Sequence, residues 1–397
     1  MYSRVWNAEL QRKLAQFPIV AIQGPRQCGK TTFAKQHLSG WTYLDLERPS
    51  DRRPLEADIE ARLRTLGDHV ILDEAQRLPE LFPVLRVLAD ENRTVKGRWV
   101  LLGSASFDLV RGISESLAGR IAFIELPGLQ LQEIFDSSSS SQELSQVVQD
   151  RWFRGGYPEA WLQTDDLARF DWFEAYERTF VQRDVLELGM GVQTSTVGRL
   201  WAMMAHGAGG IWNASSFGAS LGVSYQTVNR YAELLEGSFL VRRLAPWHAN
   251  IGKRLTKSPK LLFRDCGLMH YFLGIRDRKT LEVHPMRGHS WENFVVEGAI
   301  TRLSREKPGC KFGFWRTLAG AEVDLIAEQS GKILPIEVKL HTSPVASDLR
   351  GLAQCIEDLG CSCGVVLHGG LTTYSVSPKI QAIPAAEFLT GQTELPL

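Results

Sequence analysis

One short segment constrains this chain more than any other. Gly24-Pro25-Arg26-Gln27-Cys28-Gly29-Lys30-Thr31 fits G-x-x-x-x-G-K-[ST] at every fixed position. It follows an apolar run, Pro18 to Gln23, that reads as a buried strand, and it precedes a helical pattern. In that setting the glycines let backbone amides close on phosphates, and the helix N-terminus adds its partial positive charge. The expected nucleotide-contacting set is Gly24, Pro25, Arg26, Gln27, Cys28, Gly29, Lys30, Thr31 and Thr32. Lys30 supplies charge to the outer phosphates, and Thr31 is a ligand for Mg²⁺. ATP and Mg²⁺ are the implied cofactors.

The surroundings fit a parallel α/β layer. Further strands are expected at Trp41–Asp45, His69–Asp73, Trp99–Gly103 and Ile121–Leu126. Leu78, Leu81, Leu85 and Leu88 recur at helical spacing between the third and fourth. The strand ending Leu72-Asp73-Glu74 places Asp73 to hold the metal and Glu74 to polarise an attacking water. Ser104, at the end of the fourth strand, is a candidate contact for the γ-phosphate or that water. Arg120, before the fifth, is a candidate finger on a neighbouring subunit's nucleotide. Together Lys30, Asp73, Glu74, Ser104 and Arg120 form the expected catalytic set.

The apolar fraction of 44% over 397 residues excludes wholesale disorder. Six cysteines are too few for a disulfide framework, and Cys361-Ser362-Cys363 reads as two packed thiols rather than a zinc site. The N-terminal residues lack the apolar core of a signal peptide, and no run is long and apolar enough to span a bilayer, so a cytoplasmic setting without membrane contact is expected. Four regions follow: an ATPase domain over 1–136, a Trp-rich helical linker over 137–193 that opens on a serine run, a segment over 194–264, and an α+β domain over 265–397. Helical spacing also runs from Asp171 to Met190.

Residues 194–264 read as three short helices and a hairpin, the pattern of a winged helix-turn-helix. Tyr225–Glu236, capped by Ser224, is the expected recognition helix, followed by strands at Phe239–Leu244 and Lys260–Arg264. Tyr225, Gln226, Asn229 and Arg230 would face a DNA groove, while Val228, Leu234 and Leu235 face the core. Arg242, Lys253, Arg254, Lys257 and Lys260 would meet phosphates. The 45 basic and 45 acidic residues cancel over the whole chain, but this segment carries nine basic and two acidic groups, a net +7. DNA is the expected partner, with a protein partner as the rival.

In the last region Asp324 lies on one strand, and Glu337 and Lys339 lie two residues apart on the next. The strands are separated by a tight turn at Gln329-Ser330-Gly331-Lys332. Paired carboxylates can hold Mg²⁺, and a neighbouring lysine can stabilise a developing phosphate charge. Glu292, on a preceding helix, is a third candidate metal ligand, beside Asp324 and Glu337.

In order, these residues resemble the AAA+ ATPases. More narrowly, Leu72-Asp73-Glu74-Ala75-Gln76, Leu102-Gly103-Ser104-Ala105-Ser106, Ser116-Leu117-Ala118-Gly119-Arg120 and Gly155-Gly156-Tyr157-Pro158-Glu159 resemble the prokaryotic AAA+ family with a nuclease-like C-terminal domain. The resemblance implies ATP hydrolysis and suits self-assembly into a ring or other oligomer. No lid with a sensor arginine is evident, and Arg151 and Arg154 are the candidate substitutes. The Asp324, Glu337, Lys339 set resembles the PD-(D/E)XK nuclease fold, with Val323 where the family has proline. Whether such a domain cuts or only binds DNA stays open.

Overall fold

The computed structural model describes residues 2–104, 117–135, 141–185, 193–247 and 257–397. Expectations that involve Ala105, Ser106, Ser116, the start of the serine run, Leu188, Met190, Lys253 and Arg254 lie outside these residues. The chain divides into two compact units, one of residues up to 129 with 237–239, the other of 130–236 and 240–397.

The first unit carries β1 (Ile19–Gly24), β2 (Thr42–Asp45), β3 (Val70–Asp73), β4 (Trp99–Ser104) and β5 (Ile121–Glu125). They form one sheet in the order β2-β3-β4-β1-β5, with every pair parallel. Both faces are covered: Leu55, Leu63, Leu81, Phe82 and Leu85 pack on one side, and Leu10, Phe33, Ala34 and Leu38 on the other. Continuous burial of β1, β3 and β4 explains why those strands are unbroken apolar runs. All the expected strands are present, and the helix between β3 and β4 runs Leu81–Glu91.

The second unit opens with helices Ser141–Arg154, Pro158–Trp161 and Asp166–Thr179, followed by a wider turn at Phe180–Asp184. Gly155 is required by close approach: a Cβ there would overlap Asp265 Oδ1 and Gly267, and the Gly156 amide donates to Asp265 Oδ2 at 2.6 Å. Helices Thr194–His206, Ala214–Leu221 and Tyr225–Gly237 follow, then β6 (Val241–Leu244) paired antiparallel with β7 (Lys260–Phe263). Ile211 bridges to Lys260 on the far side of β7. Asn213 and Ser224 cap their helices by accepting from Ser216 N and Thr227 N. β6 begins two residues later than the sequence suggests, because Phe239 takes a left-handed conformation, φ +57°.

The C-terminal sheet has the order β12-β13-β11-β10-β9-β8, from β8 (Lys311–Arg316), β9 (Glu322–Gln329), β10 (Lys332–Lys339), β11 (Gly364–His368), β12 (Tyr374–Ser377) and β13 (Ile380–Pro384). β8, β9 and β10 are an antiparallel meander, while β10, β11 and β13 run parallel. Ser330 and Gly331, both with positive φ, form the expected two-residue turn. Helix Arg287–Glu306 and helix Arg350–Leu359 pack on this sheet. Among the described residues no helix is long and apolar enough to cross a membrane.

Candidate active site in the phosphate loop

The loop leaves β1 at Gly24, where a Cβ would overlap the Leu126 carbonyl oxygen, so that position accepts only glycine. Gln27 and Gly29 take positive φ, +61° and +96°, and the helix Lys30–His37 begins directly after them. Cys28 is fully buried and its thiol donates to Leu126 O at 3.2 Å, so its side chain anchors the loop to the strand end. Arg4 secures it from the other side, donating to Cys28 O at 3.0 Å and to Pro127 O at 2.6 Å. Sequence reasoning missed Arg4, since an arginine near the N-terminus carries no signal of such a contact.

Lys30 is buried, and its Nζ donates to Gly24 O at 2.9 Å and Pro25 O at 2.8 Å. The Thr31 hydroxyl donates to Asp73 Oδ2 at 2.7 Å. Thr31 and Asp73 therefore converge, from helix and strand, on the two oxygens a Mg²⁺ ion takes in such loops. These residues fit the ion: it would be held by Thr31 and Asp73 and would neutralise charge on the outer phosphates. Tyr43, on the neighbouring strand, also donates to Asp73 Oδ2, at 2.7 Å, and was not anticipated. Burial and the Asp73 carboxylate hold the Tyr43 phenol well above its ordinary pKa, so it stays a donor.

Glu74 turns out of β3 with φ +53°. Gln76 donates to Glu74 Oε2, and the Ser104 hydroxyl reaches the same oxygen at 3.3 Å. The structure thus brings together Lys30, Thr31, Asp73, Glu74 and Ser104, and adds Gln76. Burial pushes the Glu74 carboxyl above the usual carboxylate range; Lys30 and Arg26 pull it back, while Asp73 pushes further up. A carboxylate in this setting is a better proton acceptor than a solvated one.

Arg120 lies differently from the expectation of a free finger. It makes a two-pronged pair with Asp90, at 2.8 and 2.7 Å, so phosphate contact requires exchanging that partner.

Two of the four described basic candidates, Lys260 and Arg242, are spent inside the second unit. Lys260 is 1% exposed and sits among three carboxylates, so it does not meet DNA phosphates. Arg242 donates to Glu297 at 2.6 Å, and Arg264 reaches the same carboxylate at 3.0 Å. Asn229 is half-buried and accepts from Trp212 Nε1 at 2.9 Å, so it serves packing rather than base readout. Gln226, Arg230 and Lys257 are exposed, as is Tyr225 at 53%. Arg154 donates to the carbonyls of Trp161 and Gln163, and Arg151 lies buried beside Phe294. Arg154 is thus held by the helical region itself.

In the C-terminal sheet Asp324 Oδ2 accepts from Val338 N at 2.9 Å, and Lys339 Nζ donates to Glu337 Oε1 at 2.7 Å. Glu292 from its helix, Glu322 and Asp324 surround Lys260 Nζ. Among the described residues no group of three or more His, Cys, Asp or Glu is arranged to hold a metal ion.

Residues 16–135 match the model of an AAA domain. Residues 145–279 and 287–388 match two domains of unknown function, DUF8612 and DUF4143. The chain is 39% identical over 387 residues to the uncharacterized protein Rv2008c of Mycobacterium tuberculosis and, equally, to Mb2031c of Mycobacterium bovis, covering 96% of this chain and 83% of each relative. It belongs to the family of these proteins, and its first unit carries an AAA-type P-loop ATPase domain. Among solved structures it is distantly similar to the Walker-type ATPase PABY2304 of Pyrococcus abyssi, at 15% identity and a TM-score of 0.46, over 69% of this chain and 96% of that one. The Thermotoga maritima RuvB Holliday junction branch migration motor aligns at 18% identity and a TM-score of 0.29, over 59% of this chain and 87% of that one.

Proposed function

We propose that this chain is an ATP-hydrolysing protein whose second unit engages DNA, with the exposed face of helix Tyr225–Gly237 as its point of contact. The observation that carries the first half is the convergence of Lys30, Thr31, Asp73 and Glu74 at one strand–loop–helix junction. In the working cycle the Lys30 ammonium leaves the loop carbonyls for the outer phosphates. Glu74 takes the proton of the attacking water, oriented by Gln76 and Ser104.

The second half is supported by the order of elements. Three helices and a hairpin, with Ile211 bridging β7, are the parts of a winged helix-turn-helix. Tyr225, Gln226 and Arg230 project from the first turns of the third helix, where such a motif meets a groove. The decisive measurement is ATP turnover titrated with single-stranded, duplex, forked and four-way DNA. Stimulation by at least one form, lost in Lys30→Ala, is expected. Turnover indifferent to every nucleic acid, with no binding at low salt, would sink the DNA half.

A specific observation favours the rival, a nucleotide-dependent switch with a protein partner. Lys260, Arg242, Arg243 and Arg264 are all paired with carboxylates, so most of the described basic surplus of this segment is neutralised inside the molecule. That reading predicts a partner held by Glu74→Gln in ATP and released in ADP. Equal capture in both nucleotides would dismiss it. Assembly of several copies, suited by Arg120, belongs to the same set of proposals.

A further inference from the structure

The acidic centre of the C-terminal sheet already contains a cation, and the chain supplies it. Lys260 opens β7, and its Nζ lies 2.5 Å from Glu292 Oε1, 2.8 Å from Glu322 Oε1 and 2.9 Å from Asp324 Oδ1. Three elements thus meet at one ammonium: the helix Arg287–Glu306, β9 and β7. The remaining oxygens are mostly committed. Asp324 Oδ2 takes the Val338 amide, Glu337 Oε1 takes Lys339, and Glu322 Oε2 takes Arg316 at 2.8 Å. Glu337 Oε2 is buried and left over, Glu292 Oε2 has only His289 Nδ1 at 3.8 Å, and two oxygens do not make a metal site.

A nuclease-like fold implies a divalent ion here, between Asp324, Glu337 and a helix glutamate. The residues present do not fit one. Mg²⁺ demands about six oxygens at roughly 2.0–2.1 Å in octahedral array and keeps several of its waters. An ion bridging Glu292 Oε1 and Asp324 Oδ1 would stand where the ammonium stands, in a pocket whose central side chain is 1% exposed.

The hairpin that delivers Lys260 is itself fixed to helix Arg287–Glu306 and to this sheet. The Asn293 side chain bonds both the amide and the carbonyl of Phe263, at 2.7 and 2.8 Å. Trp247 N donates to Phe314 O at 2.7 Å and Phe314 N to Ala245 O at 3.1 Å, joining the chain after β6 to β8. The lysine is therefore held in place by the Asn293 side chain at the end of β7 and by backbone pairing with β8 after β6.

We infer that Lys260 is a built-in counterion that takes the place of the divalent cation, so that this centre binds no metal and cuts no DNA. Its geometry belongs to the second unit alone and does not depend on whether helix Tyr225–Gly237 binds DNA.

The test uses the whole 397-residue chain, stripped with EDTA and free of nucleotide, titrated with Mn²⁺ and compared with Asp324→Asn. That substitution leaves Thr31 and Asp73 untouched, so any difference reports on this centre alone. The expected result is the same Mn²⁺ titration for both proteins, and no cleavage of duplex or forked DNA in Mg²⁺ or Mn²⁺. In Lys260→Ala the vacated position and its three carboxylates should gain a Mn²⁺ site, seen as a Tm raised by several degrees on adding the ion. The added substitution Asp324→Asn should remove that gain. A wild-type Mn²⁺ site or cleavage activity lost in Asp324→Asn overturns the inference. So does a folded Lys260→Ala that gains no Mn²⁺ site. If Lys260→Ala does not fold, the comparison of wild type with Asp324→Asn decides alone.

Discussion

Glu74 sits where two side chains and its burial decide its chemistry. Gln76 and Ser104 fix one carboxylate oxygen, and burial keeps the group basic. Glu74→Gln preserves shape and hydrogen bonding but cannot take a proton. Turnover should fall at least about a hundredfold, the scale of general-base catalysis, with ATP affinity nearly unchanged. Equilibrium binding of a fluorescent ATP analogue beside steady-state hydrolysis separates the two; parallel loss of both would remove Glu74 from the catalytic role. His270 makes a second prediction at this scale. It is fully buried, with one ring nitrogen 2.9 Å from Phe153 O and the other 2.6 Å from Ser290 Oγ, which also accepts from Trp152 at 2.9 Å. Burial, with Arg169 and His284 nearby, pulls its pKa down from 6.5 to about 4. The folded state therefore refuses a proton that the unfolded chain takes. Stability from this group is intact above pH 6.5 and is lost as pH falls toward about 4, by on the order of 3 kcal/mol in full. Urea unfolding of wild type and His270→Gln across that window should show the steeper decline in wild type, and equal slopes would contradict it.

The helix Tyr225–Gly237 shows what one element's sequence reveals and what it hides. Its amphipathic spacing sorted Val228, Leu234 and Leu235 inward and Tyr225, Gln226 and Arg230 outward, and the structure agrees. Asn229 escaped that sorting because its fate depends on Trp212, which a helical wheel of this segment does not include. The same holds for β6 and β7. Arg242 and Lys260 look like solvated wing residues until helix Arg287–Glu306 and β9 bring Glu297, Glu292 and Asp324 against them. The phosphate-loop motif was legible because it is local, spaced within eight residues, while its distant anchors Arg4 and Tyr43 were not; nor was the lysine-centred acid cluster, since Lys260 and Asp324 are 64 residues apart. Arg230 and Arg242 therefore separate by phenotype. Arg230→Ala should weaken any DNA binding and reduce the salt slope by about one ion, leaving stability within about 0.5 kcal/mol. Arg242→Ala strips one of the two cations from the buried Glu297 and should cost a few kcal/mol of stability, with the DNA salt slope unchanged. Identical effects of the two would erase the distinction between surface and structural arginines.

For the whole molecule the zero net charge is a sum of unlike parts. The first 136 residues balance at 18 basic and 18 acidic groups, residues 137–193 carry −5, 194–264 carry +7, and 265–397 carry −2. The positive segment and the acids that meet it both belong to the second unit, so the opposite charges are joined within one compact body. The candidate nucleotide site, in contrast, falls in the first: Arg4, the phosphate loop, Tyr43, Asp73, Glu74 and Ser104 all lie within residues 2–129. Each unit has its own buried core. A calorimetric scan should accordingly show two transitions. A non-hydrolysable ATP analogue with Mg²⁺ at a hundred times its Kd stabilises the unit that binds it by about 2.7 kcal/mol, and so raises one transition by a few degrees. Lys30→Ala should cancel that shift while leaving both transitions in place. Lys260→Ala should lower the other transition alone, since the charges it strands are confined to the second unit. A single transition that moves as a whole with nucleotide would instead mean that the two units unfold as one, with the acid cluster then contributing to the stability of the nucleotide site itself.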